Sequence, residues 1–545
     1  MKETTRASIV PVVVALVVGV GYRGVVALEG ARKAHRQAIF QPSDRCLACH
    51  NGLTTASGAD VSIGADWRGS MMANASRDPY WQAAVRREVL DHPSARARIE
   101  DACATCHMPM ARADEVSAGR TGQVFAHLPV AGHGAASDHL AHDGVSCAIC
   151  HLIADERLGA PESFNGGFVL GGMRSDGPPS FGPFSVDRGP TSVMQSSSGF
   201  QPVETSHTRR SELCATCHTL YTEALDAGGR SIGRLPEQVP YLEWRHSAFA
   251  GEQTCQACHM PAVEERAPIA SVLGEIRTGA ARHVFRGGNF FVLGMLNRYR
   301  DELGVTALAP EIDASRQRTV DLLQGQTASV TIDRADRVND GIIVDVAVRN
   351  LSGHKLPTGY PSRRLWLHLT VRDQAGAMLF ESGGLDATGA IRGNDNDRDA
   401  TRYEPHYREI RHSDEVQIYE SILGNANGEA TTGLLSGTRY LKDNRLLPRG
   451  FDKTTADADV AVIGAATEDD DFRGGEDRVR YAIDLPRGAG PCRIDLELAF
   501  QPIGFRWAQN LKSYDAAETR RFVTYYDAMS SASATVLARA SAAVP

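Results

Sequence analysis

A chain of 545 residues, 42 % apolar and 23 % charged, has the length for two or three domains with sizeable cores and an ordinary soluble balance. Its formal charge of -8 excludes a general nucleic-acid binder, which would need a basic face. At the N-terminus Lys2 and Arg6 precede an apolar run from Ile9 to Gly21, interrupted by Tyr22-Arg23 before Gly24 to Leu28. That run falls short of the roughly 20 apolar residues of a spanning helix, so residues 1–30 read as an export signal. No clean small-x-small cleavage site follows, and the alternative is an uncleaved anchor that associates the chain with a membrane. No cysteine stands near residue 20, which disfavours a lipoprotein, and no later segment has the length and apolarity to cross a bilayer.

Ten of the eleven cysteines then fall in five copies of Cys-x-x-Cys-His. The copies pair Cys46 and Cys49 with His50, Cys103 and Cys106 with His107, Cys147 and Cys150 with His151, Cys214 and Cys217 with His218, and Cys255 and Cys258 with His259. At this Cys and His content a random chain would hold the pattern on the order of 0.01 times. The pentapeptide is the attachment signal for c-type haem: two thiols form thioethers to the macrocycle and the adjacent imidazole reaches the iron. A thioredoxin-like motif would use one Cys-x-x-Cys, a zinc ribbon would lack the invariant His, and a disulfide between cysteines three apart closes too small a loop to stabilise anything. Five covalently bound haems are therefore expected. Their propionates, about two per haem, add negative charge unless arginines pair with them. This attachment happens outside the cytoplasm, in keeping with the export signal, and implies a periplasmic or otherwise extracytoplasmic site and redox partner proteins.

Between the repeats the candidates for a second axial ligand appear in chain order. Trp67-Arg68-Gly69-Ser70-Met71-Met72 parallels Trp244-Arg245-His246-Ser247, so Met71 or Met72 is a candidate where the second copy offers His246. A thioether ligand would raise that haem's potential above those with two imidazoles. His139 and His142 lie just before Cys147, His207 before Cys214, and His283 follows the last repeat in a segment ending Arg286-Gly287-Gly288, where glycines let backbone approach a macrocycle. His35, His92, His127 and His133 are reserves. Asp78-Pro79 starts a helix carrying Trp81, Ala84, Val85 and Val89, and another helix follows Asn289 with Phe290, Phe291, Leu293 and Leu296. From Leu158 to Val203 Gly, Pro and Ser are enriched, as suits a chain that uses macrocycles as its core.

The chain divides near residue 305. Beyond residue 325 apolar residues alternate: Ile342, Val344, Val346 and Val348; Leu365, Leu367, Leu369 and Val371, with Arg364, Trp366, His368 and Thr370 between them; Val479, Tyr481 and Ile483; and Ile494, Leu496, Leu498 and Phe500, in phase with a buried Cys492. The expected fold is thus α+β and multidomain: a haem-packed, mostly helical or irregular part over 31–305, then an antiparallel β-sandwich over 306–545 with a closing helix from about Glu518 to Met529. His354 has two readings, as a ligand reaching across to a haem or as a turn residue between strands. Asp395, Asp397 and Asp399 lack the glycine and distal glutamate of a calcium loop and read as a solvated acidic segment. No phosphate loop, nucleophile elbow or His-Glu-x-x-His motif is present.

These residues resemble the multihaem cytochromes of the cytochrome c554 type. The resemblance rests on the Trp-x-x-Ser element before a repeat, on Cys-His-Met-Pro at Cys106 to Pro109 and Cys258 to Pro261, and on Gly353-His354-Lys355-Leu356-Pro357-Thr358-Gly359 with Arg364-Leu365-Trp366, which looks like the β-domain signature of longer relatives. It implies stacked haems passing single electrons, with bis-His or His/Met ligation. The fifth repeat and the large sandwich depart from the tetrahaem members, so haem order does not carry over. A multihaem oxidoreductase with one five-coordinate iron, acting on a small nitrogen or sulfur compound, is the alternative. Pentahaem nitrite reductases typically carry Lys in the active repeat, and no Cys-x-x-Cys-Lys occurs here. Docking of a partner, or assembly of an oligomer or conductive filament through the sandwich, is compatible with electron transfer.

Overall fold

The computed structural model describes residues 39–132 and 136–545. The candidate export segment, His35 and His133 lie outside the described residues. Among the described residues no helix is long and apolar enough to cross a membrane. Pro42–Pro545 forms one compact unit.

The haem-motif half is built from short helices joined by irregular chain. Asp78 accepts hydrogen bonds from the backbone of Tyr80 at 2.8 Å and Trp81 at 3.2 Å, and Pro79 supplies the first turn, so the helix Pro79–Asp91 starts where the sequence places it. Its inner face, Trp81, Val85 and Val89, packs on Ile99, Ala104 and Met108 from the helix Arg96–His107 and the residue after it. Each buried side chain of this size contributes about 1.5–3 kcal/mol. The helix Phe290–Arg298 buries Phe290, Phe291, Leu293 and Leu296 in the same cluster as the sandwich strands, so it belongs to both halves. The helix Ala309–Gln326 follows it. Only a few apolar residues, Ile312, Leu322 and Leu323, mark its buried face among many polar ones, which hid it from periodicity.

The second half folds as two packed sheets, antiparallel except where Glu409–Ile410 pairs parallel with Arg480 and Tyr481. Its strands are β1 Ala328–Val338, β2 Gly341–Asn350, β3 Arg364–Asp373, β4 Met378–Ser382, β5 Glu409–Ile410, β6 Ile418–Tyr419, β7 Glu476–Asp484, β8 Cys492–Gln501 and β9 Thr535–Val544. One sheet runs β5-β7-β2-β1 and the other β4-β3-β8-β9, with β6 also on β3. Tyr481 faces Val344 across β7 and β2, and Leu496 faces Leu369 across β8 and β3. The apolar sets of β2, β3, β7 and β8 meet in one core, and Cys492 is buried with them. The period of two is what aims each set inward.

Three details depart from the sequence reading. The outer face of β3 is covered rather than solvated: Trp366 is 1 % exposed and packs on Ile391, Val416, Ile418 and Ala499. Asp397 is buried beneath the same cover, where both its oxygens accept from the Arg364 guanidinium at 2.7 and 2.8 Å, so this acidic segment is not simply solvated. The helix Ala517–Met529 is present but does not close the chain, because β9 follows and pairs along β8. Its alternating alanines and serine carried too weak a hydrophobic signal to read as a strand.

Candidate haem-binding site

All ten repeat cysteines and all five repeat histidines line one connected cavity of about 1490 Å³. That exceeds the roughly 300–1,000 Å³ of a typical single-ligand pocket. Short helices deliver the repeats: Asp44–Leu47 leads into the first, Arg96–His107 ends on the second, Cys147–Leu152 holds the third, Ser211–Ala215 opens the fourth and Cys255–His259 is the fifth. None of the ten repeat cysteines is joined in a disulfide among the described residues, and all ten are at intermediate exposure.

The histidines provide the chemical test of fit. His50 Nδ1 donates to the Ile269 carbonyl at 2.6 Å, His107 to Ala75 at 3.1 Å, His151 to Phe181 at 2.5 Å and His259 to Arg286 at 2.6 Å. A proton held on Nδ1 leaves Nε2 with its lone pair free, which is the tautomer a metal takes. Among the described residues no protein group bonds Nε2 of these four rings. Burial lowers the pKa of His107 and His259 to about 4 and depresses His50, His151 and His218, so the rings stay neutral. Donor set, tautomer and cavity therefore fit c-type haem.

The axial candidates separate into two groups. His283, Met71 and Met72 line the cavity. The His283 ring lies 6.4 Å from that of His151, inclined by 22°, and its Nδ1 is tied to the Ala281 carbonyl at 3.0 Å. Two imidazoles each about 2 Å from one metal face each other at roughly this separation. Met72 is placed by its carbonyl, which accepts from Val145 at 2.9 Å; Gly144, at φ +61°, passes so close that a Cβ there would sit 2.7 Å from the same oxygen. The other group points elsewhere. His207 Nε2 bonds the Ile153 carbonyl at 2.8 Å and Nδ1 bonds Thr205, while His246 Nε2 bonds Asp457 at 3.0 Å. His142 Nε2 bonds the His127 carbonyl at 2.8 Å, and His139 is exposed. None of these four lines the cavity.

Contacts between repeats define their neighbours. The Cys46 and Cys147 thiols interact directly, as do Cys106 with Cys217 and Cys214 with Cys255. Cys150 in turn senses both Cys217 and Cys214. The fourth repeat thus adjoins the second, third and fifth, and the third adjoins the first. Two charged residues on the walls escaped the sequence reading because neither belongs to a motif. Arg363 donates to Asn289 at 3.0 Å and to the Thr358 carbonyl at 2.7 Å, with no carboxylate partner among the described residues, so it offers a cation to an anionic group in the cavity. Glu237 is 5 % exposed, accepts from the Thr222 hydroxyl and acts on the thiols of Cys103 and Cys106.

No family model matches this chain, and no curated protein matches it. Among solved structures it is similar to a penta-heme cytochrome c552 from Thermochromatium tepidum, with 16 % sequence identity and a TM-score of 0.51 over 92 % of this chain and 98 % of that one. At that identity the likeness is one of fold, and with 92 % of this chain covered it extends over both halves.

Proposed function

We propose that the protein is a multihaem c-type cytochrome that passes single electrons among five covalently bound haems outside the cytoplasm. The observation that carries this reading is the convergence of all five Cys-x-x-Cys-His repeats on one cavity, with four of the five imidazoles fixed in the ligating tautomer. The fold likeness to a penta-heme cytochrome supports it, and the kinship to the cytochrome c554 type is part of the same reading. Haem iron so held exchanges one electron between its ferric and ferrous states. The residues of this chain tether, orient and desolvate. The ten thiols, two to each repeat, would tether the haems, the five imidazoles would ligate their irons, and Arg363 would supply positive charge for a carboxylate. Donor and acceptor are redox proteins, and the N-terminal segment directs export or anchors the chain.

Intact mass of the exported protein tests the reading. The mass is expected to exceed that of the polypeptide by five haems, and the red pigment should remain with the protein through acid-acetone extraction. Extractable pigment or an unmodified mass would end it.

A second expectation concerns pH. Burial raises the Glu237 carboxyl to about 7, helped by Glu88 and opposed by the Thr222 hydroxyl. A carboxylate formed beside Cys103 and Cys106 stabilises ferric over ferrous iron at that repeat. One midpoint potential is therefore expected to fall as pH rises through about 7, and Glu237→Gln should flatten that dependence in a spectroelectrochemical titration while leaving the other waves in place.

A further inference from the structure

We propose that the sandwich half supplies the second axial ligand of the fifth repeat: His354 ligates the iron opposite His259, and a buried four-residue charge network holds it there. This rests on the multihaem reading above and adds the ligand and its support.

His354 lies in the loop between β2 and β3 and lines the cavity. Its ring stands 6.2 Å from that of His259, inclined by only 12°, the second such pair besides His151 and His283. Its Nδ1 donates to the Lys355 carbonyl at 2.9 Å, and Nε2 has no hydrogen bond among the described residues. The imidazole is not what shapes the turn. Asn350 already does so, accepting from Ser352 N at 2.8 Å and donating to the carbonyls of His354 at 2.8 Å and Leu446 at 2.9 Å. Gly353 runs close against the other half, where a Cβ would sit 3.3 Å from Phe249 Cβ and 3.5 Å from Trp244 Cδ1.

The next residue fixes the loop from behind. Lys355, 0 % exposed, donates its ammonium to Asp443 at 2.7 Å, and its backbone N–H donates to Glu243 at 3.1 Å. Arg445 bridges the two carboxylates, donating to Asp443 at 2.7 Å and to Glu243 at 2.8 Å, and the Thr358 hydroxyl also donates to Glu243. Glu243 sits on the helix Pro240–Arg245, which leads into the fifth repeat. One closed set of charge-assisted bonds therefore ties the segment carrying His259 to the loop carrying His354. Lys355 and Glu243 are positioning residues: neither lines the cavity, and they act through His354.

The test is EPR of the oxidised protein combined with intact mass. In His354→Ala, all five haems are expected to remain attached while one low-spin signal is replaced by a high-spin ferric one; added imidazole should restore it. His354→Met, which keeps bulk and a donor, should stay low-spin with altered g-values and a raised potential at one haem, and covers the case in which the alanine variant does not fold. Glu243→Gln should broaden that same signal, and Glu243→Asp should recover part of it. Five attached haems with an unchanged low-spin pattern in His354→Ala and His354→Met would overturn the ligand assignment and leave the multihaem reading intact. A wild-type mass lacking haems would overturn that reading itself.

Discussion

Replacing both Cys214 and Cys217 with alanine is expected to lower the haem count from five to four and to uncouple the remaining groups. The contacts between repeats give the reason. The fourth repeat touches the second and fifth and lies within electrostatic range of the third, whereas the first and third meet without it. Loss of the fourth attachment leaves the pair formed by the first and third repeats with no thiol contact to the second or the fifth. The same double substitution at Cys46 and Cys49 also removes one haem, but from the edge of the array, and leaves four in contact. Intact mass should show four haems in both variants. Flash-initiated reduction should separate them: complete and monoexponential in the edge variant, and in the central variant split into a fast fraction and one slower by orders of magnitude. Equal kinetics in the two variants would remove the fourth repeat from its central place.

Why the attachment residues were readable and the axial ones only partly so follows from locality. A Cys-x-x-Cys-His repeat puts three functional side chains on about one turn of chain, so five residues specify thiols and proximal imidazole together. The second axial position is filled across space. His283 was reachable because glycines flank its segment, and the ring indeed faces His151. His207 and His246 had attractive spacing, and the structure places their Nε2 atoms on the Ile153 carbonyl and Asp457, partners that no spacing rule announces. The parallel between the two Trp-Arg segments led to Met71 and Met72, which do line the cavity. In the sandwich, alternation identified β2, β3, β7 and β8 because each has a face in the shared core. It failed for the outer side of β3, where the segment carrying Ile391, Val416 and Ile418 folds over Trp366, and for β9, whose small residues gain their place from β8 rather than from their own hydrophobicity. Charged residues were the least legible. Lys355, Glu243, Asp443 and Arg445 look like surface residues in sequence, and each is under 10 % exposed because its partners are buried with it.

Arg445→Met is expected to be the most destabilising single substitution in the protein, by about 3–5 kcal/mol in a denaturant titration, because it leaves buried Asp443 with the Lys355 ammonium alone and buried Glu243 with no cation bonded to it among the described residues. Against burial, which raises it, Arg445 and Lys355 hold the Asp443 carboxyl well below the usual carboxylate range. A carboxylate depressed in the folded state contributes stability that is fully present above its unfolded pKa, about 3.9, and is lost only as pH falls through the folded value. In the native chain that window lies in strong acid, so this network does not initiate acid unfolding at mild pH. Removing Arg445 raises the folded value, and the loss should then begin at higher pH, which a pH series of unfolding midpoints would register. Glu243→Gln combined with Arg445→Met should cost less than the two singles added together, since the glutamate's charge has lost its partner in either case. The same substitution links stability to the metal site. With the bridge from Asp443 to Glu243 gone, the His354 loop keeps only its own bonds from Lys355 and Thr358 to carboxylates that are no longer joined to each other, so the signal assigned to the His259 haem should broaden at denaturant concentrations where the His151 haem is still native. Simultaneous loss of both signals would show that the network stabilises the fold as a whole and does not act on that ligand.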